Sequence, residues 1–297
     1  MFERSSASAP ASIANLNAGF DILGISFPTL KDTIHLEQCD ATKGIWIRSI
    51  KGANLPDTVH DNTATIPLLQ MQKDFKWPFG LAVDIDKQIP VASGLGGSAA
   101  SAVAAVKAAS VWAPTTLSLS QELYYAGLGE SLTSGNTPHF DNIAPSLIDG
   151  LVLITPHKSP CVRQLPSPKG LSIVVWHPQI KIRTSESRQR LSKEVPLDLY
   201  IKQSSFLASS LSDLYEQNFQ AWAQQLQDLL IQPQRQDDIP NFASARSAAI
   251  SKGALCFGIS GSGPSCFAIC DQHTASSIEY HVRNIFNGHI KSWIHHL

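Results

Sequence analysis

Cysteine is scarce and irregularly spaced. The 297 residues hold five, Cys39, Cys161, Cys256, Cys266 and Cys270. The number is odd, no two stand as C-x-x-C, and no Cys/His spacing fits a zinc site. Neither a disulfide framework nor a structural zinc is therefore expected, and buried reduced thiols are. An excess of positive charge is also missing. Lys and Arg number 23 against 24 Asp and Glu, which gives a net charge of −1. Without a basic stripe, a nucleic-acid partner has no electrostatic support. Long apolar runs are missing too. The uncharged stretch over 89–106 consists mainly of Gly, Ala and Ser and is too weakly apolar to span a membrane. Met1-Phe2-Glu3-Arg4 lacks the basic and apolar regions of a secretory signal, so the expected compartment is the cytoplasm.

What is present is a glycine-rich loop, Pro90-Val91-Ala92-Ser93-Gly94-Leu95-Gly96-Gly97-Ser98-Ala99-Ala100-Ser101. Three glycines in four positions let a ligand approach the backbone, and φ > 0 is open to them, so successive N–H groups can converge on one anion. The helix that follows adds free N–H groups and its dipole. Two absences narrow the reading. No lysine follows the glycines, so this is not a G-x-x-x-x-G-K-[ST] loop. The stretch from Gly94 to Ala99 satisfies G-x-G-x-x-A, but no Asp or Glu stands between Ala99 and Gln121 to hold a ribose. A phosphate cradle of another type and a tight turn without a ligand both remain.

Along the chain, residues 2–50 read as short strands and turns, 62–74 as a helix and 81–86 as a strand feeding the loop. Residues 98–113 carry eight alanines and no Gly or Pro, and read as one helix stopped by Pro114. A helix over 119–131 and a strand over 151–154 follow. Four prolines within 155–168 mark a domain boundary, which divides the chain into 1–160 and 161–297. The second half predicts strands at 171–176, 256–259 and 267–270, with helices near 184–192, 197–213, 218–231, 241–252 and 274–286. Both halves are α+β, and no repeat is evident.

Two further segments join the glycine loop. One is Ala9-Pro10-Ala11-Ser12-Ile13-Ala14-Asn15-Leu16-Asn17-Ala18-Gly19-Phe20-Asp21-Ile22-Leu23-Gly24, and the other is Gly258-Ile259-Ser260-Gly261-Ser262-Gly263-Pro264-Ser265. In order and distance the three resemble the three motifs of the GHMP kinase family. Within that family the first segment is similar to the homoserine kinases, since it lacks the basic residue of the galactokinase-like and mevalonate-kinase-like members. The segments 137–145, with His139-Phe140-Asp141-Asn142, and 181–188, with Thr184 and Arg188, resemble the same branch.

The resemblance implies ATP-dependent phosphorylation of the side-chain hydroxyl of L-homoserine, on the route to threonine. It implies two α+β domains, the first with a left-handed βαβ crossover and the second ferredoxin-like, and it extends to a homodimer. Asp21 would take the substrate ammonium, with Asn15 beside it. Arg188 and Arg235 would take the carboxylate, as suits the planar guanidinium fork. Asn142 and Thr184 would aim the hydroxyl, with His139 close by. Asp141 is either a base or a residue that fixes its loop, and the second reading is favoured because phosphoryl transfer needs alignment and charge neutralisation more than a strong base. Asn62 would meet the nucleotide base, and residues 90–100 its phosphates. Ser98 and Glu130 would contact Mg²⁺. Gly97 stands where relatives commonly have serine, so phosphate binding at that position rests on backbone N–H alone.

Overall fold

The computed structural model describes residues 2–135, 137–155, 161–180, 182, 184–286 and 290–297, with only the backbone at 184–186. Strands β1 (Arg4–Ala14) and β2 (Leu23–Cys39) open the chain, followed by β3 (Ile45–Lys51), helix α1 (Thr65–Phe75) and β4 (Gly80–Asp86). Helices α2 (Gly97–Ala109), α3 (Leu119–Ser134) and α4 (Phe140–Ile148) come next, then β5 (Leu151–Thr155) and β6 (Cys161–Gln164). The sheet order is β3-β4-β2-β5-β6, with β1 paired to β2. β3, α1 and β4 form a βαβ unit, and β3 and β4 run parallel. β2 and β4 are antiparallel, in a register that sets Ile34 opposite Ile85 and Leu36 opposite Val83, all four buried.

The alanine run explains α2. It is buried nearly all round, from Ala99 and Ala100 to Ala108 and Ala109, as expected of a helix with no polar face. Its methyl side chains admit α1, α3 and α4 at close range. The α-helix ends at Ala109 and a 3₁₀ turn carries the chain through Trp112, short of Pro114. α3 begins in a capping box, in which Ser118 and Gln121 satisfy each other's backbone N–H. Gly129 of α3 faces α2 so closely that a Cβ there would lie 2.9 Å from the Ala102 methyl.

The second half holds β7 (Leu171–Pro178), α5 (Thr184–Gln189), α6 (Leu197–Tyr215), α7 (Phe219–Gln225), α8 (Gln232–Arg235), α9 (Phe242–Ser251), β8 (Ala254–Ile259), β9 (Cys266–Asp271), α10 (Ala275–Ile285) and β10 (Ile290–His296). Its sheet is antiparallel, in the order β10-β7-β9-β8. With helices after β7 and β9, this is the β-α-β-β-α-β ferredoxin-like arrangement. Val174, Trp176, Phe242, Phe257 and Ile278 fill the core between sheet and helices.

The predicted helix over 218–231 is broken. The Asp228 carboxylate accepts the N–H groups of Leu230, Ile231 and Gln232, which turns the chain before α8 starts with Pro233 in its first turn. α4 and β10 lie outside the elements read from sequence. Of the five cysteines four are buried free thiols, as expected, but Cys161 is exposed. Burial pushes the thiols of Cys256 and Cys270 up to about 12 and about 11.

By internal contacts the chain forms two units. One comprises Met1–Ser12, Ile25–Val91 and Gly96–Arg163; the other comprises Ile13–Gly24, Ala92–Leu95 and Gln164–Leu297. Residues 13–24 of the first motif and the middle of the glycine loop thus belong with the C-terminal residues. Among the described residues no helix is long and apolar enough to cross a membrane.

His177 gives the second unit a pH-dependent stability. It is buried on β7 with its Nδ1 3.3 Å from Ser265 Oγ, and burial, then the Lys291 charge paired opposite it, push its pKa down to about 4. The unfolded chain takes up this proton near pH 6.5 and the folded chain does not. Stability from this residue is present above that pH and is lost as the pH falls toward 4, by about 3 kcal/mol in full. Denaturant titrations at pH 7 and pH 4.5 should show a smaller loss for His177→Gln than for the parent chain. Equal losses would contradict the assignment.

Candidate active site

In the first unit the chemistry gathers at the start of α2. Gly96 caps the helix with φ 65°, and no side chain caps the first N–H groups. A Cβ at Gly96 would collide with Ser12 Oγ and lie 2.8 Å from Asn142 Oδ1. Ser12 Oγ donates to that same oxygen at 2.9 Å, which leaves the Asn142 amide N–H groups unengaged by any described residue. The loop thus fits against a fixed Ser12–Asn142 pair, and only glycine leaves room for it.

A buried ion pair holds the same turn from behind. Lys87 Nζ donates to Asp32, to Gly97 O at 2.7 Å and to Ser101 Oγ at 3.0 Å. Asp32 Oδ1 accepts the N–H groups of Gln88 and Ile89 at 3.1 and 3.0 Å. A Cβ at Gly97 would stand 3.0 Å from Lys87 Nζ, so the missing side chain there leaves space for the ammonium.

Ser98 is the second residue of α2, and Glu130 is buried on α3. Ala102, which Gly129 abuts, lies one helical turn from Ser98 on the same face of α2. The Glu130 carboxylate accepts from Ser134 Oγ and His139 N, both at 2.9 Å, and lies 3.1 Å from His139 Nδ1. This orients His139 at the head of α4, where Asp141 is buried in the first turn. Among the described residues no three His, Cys, Asp or Glu could hold a metal by themselves. A hydroxyl and a carboxylate are hard oxygen donors, and they fit a Mg²⁺ that keeps phosphate and water as its other ligands. Asn62 is buried before α1, donating to Pro56 O and accepting from Ala64 N, so any contact with a base falls to its second N–H.

In the second unit the first motif folds into an unusual turn. Asn15, Leu16 and Asn17 all have positive φ, at 72°, 43° and 57°, and Asp21 follows at 63°. Asparagine and aspartate tolerate this region; leucine does so at a cost that packing must offset. The packing is on the third motif. Asn17 Nδ2 donates to Leu226 O and Phe257 O, and a Cβ at Gly258 would run into Asn17. Asn15 Nδ2 donates to Gly261 O at 3.0 Å, while its Oδ1 accepts Asp21 N–H at 3.0 Å. The third motif also grips the glycine loop. Ser260 Oγ donates to Gly94 O at 2.7 Å, Ser265 N–H donates to Ser93 O, and a Cβ at Gly94 would lie 2.5 Å from Ser260 O.

This turn presents Phe20 and Asp21. Arg188, in the last turn of α5, donates to both Asp21 oxygens, with Nη1 at 3.0 Å from Oδ1 and Nη2 on Oδ2. Arg235, buried on α8, donates to Gly261 O at 2.9 Å. Both guanidinium groups lie over the Phe20 ring, with Cζ 5.5 and 5.3 Å from its centroid. Arg188 and Arg235 thus meet over one aromatic ring, with Asp21 paired to Arg188 and Asn15 sharing the Gly261 carbonyl with Arg235. Thr184 opens α5, and its side chain lies outside the described residues. Sequence reasoning passed over Phe20, Ser12, Lys87 and Asp32. The first two stand inside the first motif and could have been found there; the last two are 55 residues apart, with nothing local to link them.

Family models of the GHMP kinases match the chain twice, the N-terminal domain over 62–150 and the C-terminal domain over 207–288. A homoserine kinase of Xanthomonas campestris pv. campestris (strain B100) is 36% identical over 271 residues, covering 91% of this chain and 83% of the relative. The chain belongs to the GHMP kinase family. A second relative of this GHMP kinase, the homoserine kinase of Xylella fastidiosa (strain M12), is 37% identical over 262 residues, or 88% of this chain and 80% of the relative. The crystal structure of homoserine kinase from Cytophaga hutchinsonii ATCC 33406 superimposes on this GHMP kinase with a TM-score of 0.91 at 33% identity. It covers 98% of this chain and 93% of that one. The two-domain α+β fold expected from the motifs is the fold of the family.

Proposed function

We propose that this chain transfers the γ-phosphoryl group of ATP to the side-chain hydroxyl of L-homoserine, giving O-phospho-L-homoserine on the way to threonine. One observation carries the reading: a carboxylate and two guanidinium groups, Asp21, Arg188 and Arg235, converge at Phe20. That set is complementary to a zwitterionic amino acid, the ammonium on Asp21 and the carboxylate on the two arginines. A sugar or a hydroxy acid offers no ammonium to match Asp21. Relatives named homoserine kinase, alike over most of their length, support the same choice.

Phosphoryl transfer passes through a loose transition state, so alignment and charge neutralisation do most of the catalytic work. The uncapped N–H groups at the start of α2 and the backbone over 90–100 bind the triphosphate. The Asn142 amide, with N–H groups that no described residue engages, has donors to offer the substrate hydroxyl; the part given to Thr184 rests on the family resemblance alone. Ser12 keeps that amide oriented, and Glu130 does the same for His139. Asn15 steadies Asp21 and has one N–H left for the substrate, and Asn62 has one left for the base. Asp141 fixes the start of α4 rather than serving as a base. Ser98 and Glu130 would hold Mg²⁺, which would supply positive charge against the phosphate charge of ATP. The reduced thiols support a cytoplasmic location. The family resemblance extends to a homodimer, which sedimentation would read directly.

A coupled ADP-release assay across homoserine, serine, threonine, mevalonate and galactose tests the proposal. Homoserine should give by far the highest kcat/KM. Mevalonate or galactose at or above the homoserine rate would overturn it.

A further inference from the structure

We infer that Phe20 is a positioning residue that sets the carboxylate specificity of the site by holding Arg188 and Arg235 over its ring. The inference rests on the function proposed above. Two like-charged guanidinium groups converging on one small ligand repel each other until the ligand arrives. The face of a benzene ring carries negative potential and attracts both. With Cζ at 5.5 and 5.3 Å from the ring centroid, both cations are within cation–π range.

The ring itself is set by the backbone. Phe20 lies between Gly19, where a Cβ would collide with Leu23, and Asp21, which is fixed at positive φ by Asn15. Neither neighbour tolerates a change of path, so the direction in which the Phe20 side chain leaves the backbone is set by the turn. Arg188 is tied to Asp21 through both of its terminal nitrogens, and Arg235 donates to Gly261 O. The shared ring gives both a common reference plane. When a substrate ammonium takes over Asp21, the Phe20 ring still faces the Arg188 guanidinium. A carboxylate therefore meets two cations already in place.

The test separates this role from general support of the fold. Phe20→Leu keeps apolar bulk and removes the π-face, whereas Phe20→Tyr keeps the face. With Phe20→Leu the KM for homoserine should rise about tenfold, two cation–π contacts being lost, while the KM for ATP stays within about twofold. Turnover of 3-aminopropan-1-ol, which is homoserine without its carboxylate, should be unchanged by the same substitution. Phe20→Tyr should restore the homoserine KM. Calorimetric titration of homoserine should show the same order of affinities without turnover. Equal losses with homoserine and the amino alcohol, or no loss with either, would overturn the inference. The parent chain decides the underlying reading separately: if it fails to phosphorylate homoserine, the proposed function falls, whatever Phe20 does.

Discussion

Lys87→Met should cost about 3–5 kcal/mol of stability, the usual result of breaking a buried ion pair by removing one partner. The Lys87 and Asp32 side chains are 4% and 0% exposed, so solvent offers no relief to the carboxylate left behind. Burial pulls the Lys87 pKa down and the Asp32 charge opposes it. The ammonium is the donor for Asp32, Gly97 O and Ser101 Oγ together. Its loss leaves one charge and one carbonyl short of a partner just behind the turn that opens α2. The melting temperature should fall on the order of 10 °C for a chain of this size, and the KM for ATP should rise with the homoserine KM little changed. Adding Asp32→Asn should recover part of the loss, because asparagine still accepts from Gln88 and Ile89 but buries no charge. A single variant within about 1 kcal/mol of the parent would show that the pair contributes no more than a surface bridge.

The sequence is most legible where chemistry and local structure share one segment. The alanine run of α2, the strand at β4 and the glycine turn between them could each be read from a dozen residues. So could the candidate substrate groups, because Asp21 and Arg188 lie within segments of recognisable pattern, and the structure pairs them across 167 residues. What stayed hidden depends on distant partners. The left-handed run at Asn15, Leu16 and Asn17 is held by carbonyls of Gly261, Leu226 and Phe257, and the motif alone does not announce it. The break in the helix over 218–231 follows from one side chain, Asp228, capping three amides, a choice that a propensity window averages away. β10 escaped notice because its half-buried residues alternate weakly, and its strand character comes from pairing with β7. The division of the glycine loop, with 92–95 in one unit and 96 onward in the other, reflects packing on Ser260 and on Ser12, which are 248 positions apart in the chain.

Arg188→Ala should raise the KM for homoserine about a hundredfold while leaving the KM for ATP within about twofold. A bidentate bond between guanidinium and carboxylate contributes on the order of 2–3 kcal/mol when it replaces water at a binding site, and tenfold in affinity is 1.4 kcal/mol. The fold should barely notice. The Arg188 and Asp21 side chains are 40% and 31% exposed, so the ion pair in the unliganded chain is screened and contributes under about 1 kcal/mol to stability. That exposure also lets a zwitterion exchange partners with the pair, its ammonium displacing the guanidinium from Asp21 and its carboxylate receiving the guanidinium in turn. Arg188→Lys should recover little, since an ammonium cannot present the two parallel donors that both Asp21 and a substrate carboxylate accept. With 3-aminopropan-1-ol the cost of Arg188→Ala should vanish or reverse, because no carboxylate is lost and Asp21 is freed for the ammonium. A homoserine KM unchanged in Arg188→Ala would remove this arginine from the carboxylate subsite and leave Arg235 as its cation.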